Sequence, residues 1–240
     1  MTALDQAFIK AYTPSAAAAP LRPLLEVDSF HWPRGCVRLG HAAGEALEAL
    51  ARGVLEPTRS GQRVVGVAGS RQGDGCTTLV LAMARCLGQG GRNVVMVDAD
   101  FSHPVLARRL GLLPEHGWDA VLAGQLELAE VVIESLADRL AVVPLRDPPC
   151  GETHHFGAAS DPAAVMAVLR ENYDVVLVDL GPFGRRASRS SLLPEPDGSW
   201  IDTLVLVHRA RSVSAEELAQ TRQQVSAAGI AELGIVENFV

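Results

Sequence analysis

No uninterrupted apolar run in the 240-residue chain approaches the ~20 residues that a helix needs to cross a bilayer. The opening MTALDQAFIK lacks the basic stretch followed by an apolar one that marks an export signal, so a cytoplasmic protein is expected. Cysteine is sparse. Cys36, Cys76, Cys86 and Cys150 show no paired spacing, which argues against a structural zinc site or a disulfide scaffold and suits a reducing compartment. Positive charge is not in excess: 21 basic residues stand against 28 acidic ones, a net charge of −7. Direct nucleic-acid binding through the phosphate backbone is therefore not expected. Tyrosine is limited to Tyr12 and Tyr173. What the chain has in quantity is apolar side chain. At 48% hydrophobic it has ample material for a core, and its length suits one large domain or two small ones.

Residues 1–38 read as an N-terminal arm and residues 39–240 as the domain. Within the arm, the prolines of YTPSAAAAPLRP (12–23) forbid a regular helix. The aromatics of FHWPRG (30–35) need a surface to pack on. A tail docked on one edge of the domain and a partner-binding arm both satisfy this. A helix is expected over 42–55, its stripe formed by Leu47, Leu50, Val54 and Leu55. From Arg63 onward, short and almost wholly apolar strands are expected at 64–68, 94–97, 139–144, 173–179, 203–207 and 233–236. They alternate with helices at 77–88, 102–110, 161–171 and 214–228. Strands without polar alternation are buried on both sides, so the pattern predicts a doubly wound α/β fold, a mainly parallel sheet with helices on both faces. The polar stretches 146–159 and 181–199 are long for connections in a compact domain.

Ligands of such sheets bind beyond the C-terminal ends of the strands. Three segments fall there. The first is Gly69-Ser70-Arg71-Gln72-Gly73-Asp74-Gly75-Cys76-Thr77-Thr78, between a strand and a helix. Its glycines allow backbone N–H groups to converge on an anion at a helix N-terminus. A phosphate loop carries Gly-Lys-Ser/Thr, the lysine reaching the phosphates and the hydroxyl holding magnesium. Here the hydroxyl is Thr77, Cys76 occupies the lysine position, and Ser70 replaces the leading glycine of the strict pattern. A cysteine at a helix N-terminus also admits a redox reading, through a thiolate of lowered pKa. The other two segments are Asp98-Ala99-Asp100 and Asp179, acids that close two apolar strands and suit a divalent cation. Each acid taken alone also reads as a helix cap or a turn.

Together these segments resemble the deviant Walker A P-loop proteins, the MinD/ParA-type ATPases and, more closely, the cytoplasmic domain of the bacterial tyrosine kinases of exopolysaccharide synthesis. The resemblance runs through GDGCT (73–77), VVMVDADFSHPVLARRLGL (94–112), GWDAVLAGQLELAEVV (117–132), YDVVLVDLGPF (173–183) and GIVEN (234–238). It implies a P-loop NTPase-like fold binding ATP or ADP with Mg2+. Gly73, Asp74, Gly75, Cys76, Thr77 and Thr78 would cradle the phosphates. Thr77, Asp98 and Asp179 would serve the metal, with Asp98 and Asp100 acting at the transferred phosphoryl group. Asn238 would face the adenine. Arg71 falls near the signature lysine that reaches across a dimer interface, so a nucleotide-dependent homodimer is implied, as is a membrane-protein or polysaccharide-assembly partner. The departures are equally specific. There is no tyrosine cluster, and EALEALAR (45–52) lacks the kinases' Glu-x-x-Arg-x-x-Arg helix. Three readings follow: a nucleotide-binding regulator with weak or no hydrolysis, an active ATPase or kinase using a substitute cation, and an interaction protein with a vestigial pocket. Outside the motifs, His103, the pair His154 and His155, the cluster Arg185, Arg186 and Arg189, and Arg209 with Arg211 are further candidates for ligand or partner contact.

Overall fold

The computed structural model of the chain describes residues 20–55, 64–146, 161–182, 200–210, 213–227, 229–230 and 232–239. Among them run strands β1 (Leu25–Val27), β2 (Val64–Gly69), β3 (Val94–Asp98), β4 (Ile133–Ser135), β5 (Leu140–Val143), β6 (Val175–Pro182), β7 (Thr203–Arg209) and β8 (Glu232–Asn238). They form a single sheet in the order β1-β4-β5-β3-β6-β2-β7-β8. All neighbours are parallel except β4 and β5, which form an antiparallel hairpin. The six strands expected from the sequence are present. The three-residue strands β1 and β4 carry too little pattern to be read in advance.

The absence of polar alternation has a direct structural counterpart. Val65 and Val67 of β2 join one apolar cluster, while Val64 and Ala68 join another on the opposite face. Val94 and Met96 of β3 divide from Val95 and Val97 in the same way. On the first face lie α1 (Arg34–Ala42), α2 (Gly44–Leu55), α3 (Cys76–Gln89) and α4 (Leu106–Arg109); the second is covered by α5 (Trp118–Leu122), α6 (Leu128–Val131), α7 (Pro162–Asn172) and α8 (Ala215–Ala227). α7 starts as its sequence dictates: Asp161 accepts from the Ala163 and Ala164 amides, and Pro162 sits in the first turn, where no N–H is needed. The helix expected over 102–110 is only Leu106–Arg109. Pro104 and the turn at Asp100–His103 occupy what would have been its first half.

Over its described residues, the segment before α1 lies along the sheet edge. β1 pairs with β4, and Phe30 is buried in the first cluster. Asp138, in the β4–β5 turn, fixes this arrangement by accepting from the Phe30 N–H at 2.8 Å, the Trp32 Nε1 at 2.9 Å and the Ser135 hydroxyl. Those bonds hold its carboxyl below the usual range against the opposing effect of burial. Asp138→Ala is expected to cost about 2 kcal/mol, since a buried Ser135 and an indole N–H lose their acceptor together. Thermal unfolding should show a fall of roughly 4–8 °C, with Asp138→Asn in between.

Candidate functional site

The C-terminal edge of the sheet brings the loop after β2 together with the ends of β3, β6, β7 and β8. Gly73 and Gly75 take φ values of 87° and 106°, a left-handed conformation that glycine adopts without strain. Around Gly73 there is open space even for an added Cβ. Two bonds pin the loop from outside and one braces it within. The Ser70 N–H donates to the Val207 carbonyl at 3.1 Å, the Arg71 N–H donates to the Asp74 carboxylate at 2.7 Å, and the Asn238 Nδ2 donates to the Asp74 carbonyl at 2.9 Å. α3 then begins with no side-chain cap, so the amides of its first turn and the helix field remain available to an anion.

Cys76 does not point along the loop. Its side chain is 8% exposed, its Sγ lies 3.9 Å from the Gly181 carbonyl, and a Cβ on Gly69 would come within 2.6 Å of that sulfur. Burial, followed by the charges of Asp179 and Asp74, pushes the thiol far above its ordinary range. The redox reading is thereby corrected. The helix N-terminus favours a thiolate, but a dry site crowded with carboxylates outweighs it.

The three acids meet. Asp98 and Asp179 sit opposite each other on adjacent strands, each 1% exposed. Past Asp179 the β2–β6 register shifts, so Leu180 bulges and Gly181 turns with φ 65°. A side chain at Gly181 would collide with the Asp100 carboxylate, which is how Asp100 reaches the cluster. Burial and the neighbouring Asp179 push the Asp98 carboxyl well above the usual range. Burial pushes Asp179 up to about 6, against the pull of the Thr77 hydroxyl and the Gly181 N–H. The acids differ in what they have left to offer. Asp98 accepts from the Asp100 and Leu106 amides, one on each oxygen, and Asp100 accepts from the Ser102 and His103 amides. Asp179 keeps one buried oxygen without a hydrogen-bond partner. The capping role open to any aspartate is thus real for Asp98 and Asp100, though both bonds to Asp100 fall on one oxygen, and Asp179 keeps a buried oxygen for a ligand.

Arg71 turns away from the loop. It is 60% exposed and pairs with Glu217 of α8 at 3.4 Å. Arg209 is exposed and level with Asn238 across β7 and β8. The chain has one lysine, Lys10, which lies outside the described residues, as do Cys150, His154, His155, Arg185, Arg186, Arg189 and Arg211. Sequence reading passed over Arg109, whose charge reaches both Cys36 and Asp179. Its position on a short helix after the acidic motif carried no signal of that. Among the described residues no three His, Cys, Asp or Glu side chains form a metal-binding group of their own. A cation here needs the Thr77 hydroxyl and ligand oxygens as well.

A mainly parallel sheet carrying a glycine loop at a helix N-terminus, with acids ending two adjacent strands, defines a P-loop NTPase fold of the MinD/ParA-like class. The chain belongs to the family described as cellulose biosynthesis protein BcsQ, which matches residues 62–224. It is also similar to the tyrosine-protein kinase CpsD of Streptococcus agalactiae, at 24% identity over 181 residues, 74% of this chain and 76% of that protein. Among solved structures, the kinase domain of the Escherichia coli tyrosine kinase ETK superposes with a TM-score of 0.70 at 20% identity, covering 97% of this chain and 86% of the other. MinD from Pyrococcus horikoshii, solved as a complex with Mg-ADP, gives a TM-score of 0.57 at 21% identity, covering 74% of this chain and 70% of the other.

Proposed function

We propose that the chain is a cytoplasmic nucleotide-binding regulator that takes ATP or ADP with Mg2+, hydrolyses ATP slowly or not at all, and serves cellulose or related exopolysaccharide synthesis through a partner. The observation that carries this reading is the uncapped start of α3, preceded by left-handed glycines, with Thr77 of its first turn bonded to Asp179, one of whose buried oxygens has no hydrogen-bond partner. The family match supports the pathway, and the Mg-ADP held by a structural neighbour supports the ligand class.

The donor set fits this ligand in part. Amides of the loop and of the first turn of α3 would bind the phosphates. Thr77 and Asp179 would hold a magnesium ion, with Asp98 acting through water because backbone amides occupy its oxygens. Bound magnesium supplies charge neutralisation between phosphate oxygens. What the loop lacks is a resident cation, since Cys76 is neutral and Arg71 faces Glu217. Losing a cation at a developing negative charge costs several kcal/mol in the transition state, hence orders of magnitude in rate. Binding can survive this loss where fast turnover cannot. The Arg71–Glu217 pair is exposed and accordingly weak, so a second subunit's phosphate is able to draw Arg71 away, which keeps a nucleotide-dependent homodimer within the proposal.

Calorimetric titration with ADP and a non-hydrolysable ATP analogue tests the reading. Binding should require Mg2+, because phosphates entering without it meet Asp74, Asp98, Asp100 and Asp179, and it should vanish in Asp179→Ala. No heat and no thermal stabilisation at millimolar nucleotide would overturn it.

A further inference from the structure

Asn238 does something in this structure that its motif does not announce. Its side-chain Nδ2 donates to the main-chain carbonyl of Asp74, 164 residues earlier in sequence and in the middle of the phosphate loop. The amide lies across Gly75: a Cβ there would stand 2.9 Å from Nδ2. The backbone of Asn238 is itself fixed, being the last residue of β8, in register with Arg209, with its carbonyl accepting from the Ala210 N–H at 2.7 Å. A rigid strand end therefore grips the most permissive part of the loop, between two glycines of positive φ.

We propose that Asn238 is a positioning residue that clamps the phosphate loop in its anion-binding shape, rather than a reader of the base. This rests on the nucleotide-binding reading given above. The physical case lies in what the loop is missing. No lysine stem runs along it, and two glycines make it costly to order. A loop ordered before its ligand arrives spares that cost at binding. The clamp needs a donor, because its target is a carbonyl. An aspartate of the same shape would present an oxygen to an oxygen, and an alanine would present nothing.

Amide hydrogen exchange in the ligand-free protein reads the clamp directly. In Asn238→Asp and Asn238→Ala, the amides of residues 71–76 should exchange about tenfold faster, the equivalent of one net hydrogen bond, while those in the core of α3 and in β7 stay as in wild type and report an intact fold. Pyrophosphate and ADP, each with Mg2+, supply the second arm. The clamp predicts that both bind more weakly by the same factor, about tenfold, since pyrophosphate has no base to read. Weaker ADP with unchanged pyrophosphate and unchanged exchange would make Asn238 a base reader and overturn the proposal. Should wild type bind neither ligand, the nucleotide reading falls, and the exchange result decides alone: faster exchange at 71–76 sustains the clamp, and unchanged exchange removes it.

Discussion

Cys76→Lys is expected to tighten Mg-ATP binding by about tenfold to a hundredfold and to raise ATP hydrolysis by roughly 10²–10³, the worth of one well-placed positive group at a developing charge. The reason lies in the surroundings of the thiol. Burial and then the charges of Asp179 and Asp74 push its pKa up, with Asp100 adding to them, so an ammonium carried on the same backbone position lies in a field that favours it. The stem cannot follow the path of the cysteine side chain, because Gly69 and the Gly181 carbonyl close it. It has to run outward over Gly73, where nothing lies within 4 Å of an added Cβ. Cys76→Met, of similar length but neutral, should give none of these gains and so isolates charge from bulk. Calorimetry with a non-hydrolysable analogue and a phosphate-release assay are the measurements. A lysine variant that binds more tightly but hydrolyses no faster would place the lost activity in the acids, and Asp98, with both oxygens on backbone amides, would be the first to suspect.

The fold was legible because its strands are buried on both faces. VVMVD and VVLVD need no alternation when helices cover each side, and such runs ending in acids declare the ligand-binding edge. The loop was legible from its glycines for a similar reason, since Gly73 and Gly75 take conformations that other residues resist. Contacts of long sequence separation were not legible. Asn238 reaching Asp74, Asp138 reaching Phe30 and Trp32, and Arg71 reaching Glu217 depend on strand order and on a turn, neither of which leaves a periodic trace. Nor does sequence separate the acids by duty. Asp98, Asp100 and Asp179 look alike on paper, and only the packing shows that Asp98 has both oxygens on backbone amides while Asp179 keeps a buried one unpartnered. The thiol of Cys76 shows the same limit. A helix N-terminus is readable from sequence, whereas the carboxylates converging on it from two other strands are not.

Those converging acids make stability depend on pH in an unusual direction. Burial holds Asp179 at about 6 in the fold against 3.8 in its absence, and burial with the neighbouring Asp179 raises Asp98 in the same sense. A carboxyl with a raised pKa keeps its proton longer in the folded state than in the unfolded one. Its contribution is therefore complete below about 4 and is lost as pH climbs through 6 and beyond. A shift of two units amounts to about 3 kcal/mol for Asp179 alone. Asp138 and Glu217 are shifted downward, so both finish titrating below pH 5 and leave the trend above it untouched. Roughly half of that, about 1.4 kcal/mol, falls above pH 5, so through Asp179 alone the ligand-free protein should lose roughly 3–6 °C of thermal midpoint between pH 5 and pH 8. Mg2+ should return most of that loss at pH 8 and little at pH 5, because a divalent cation offsets the repulsion only when the acids are ionised. Asp179→Asn should flatten the profile, raise the midpoint at pH 8 and abolish the response to Mg2+. A wild-type midpoint at pH 8 indifferent to Mg2+ would mean that the acids serve the loop and the caps alone, and the metal-dependent half of the proposed function would go with it.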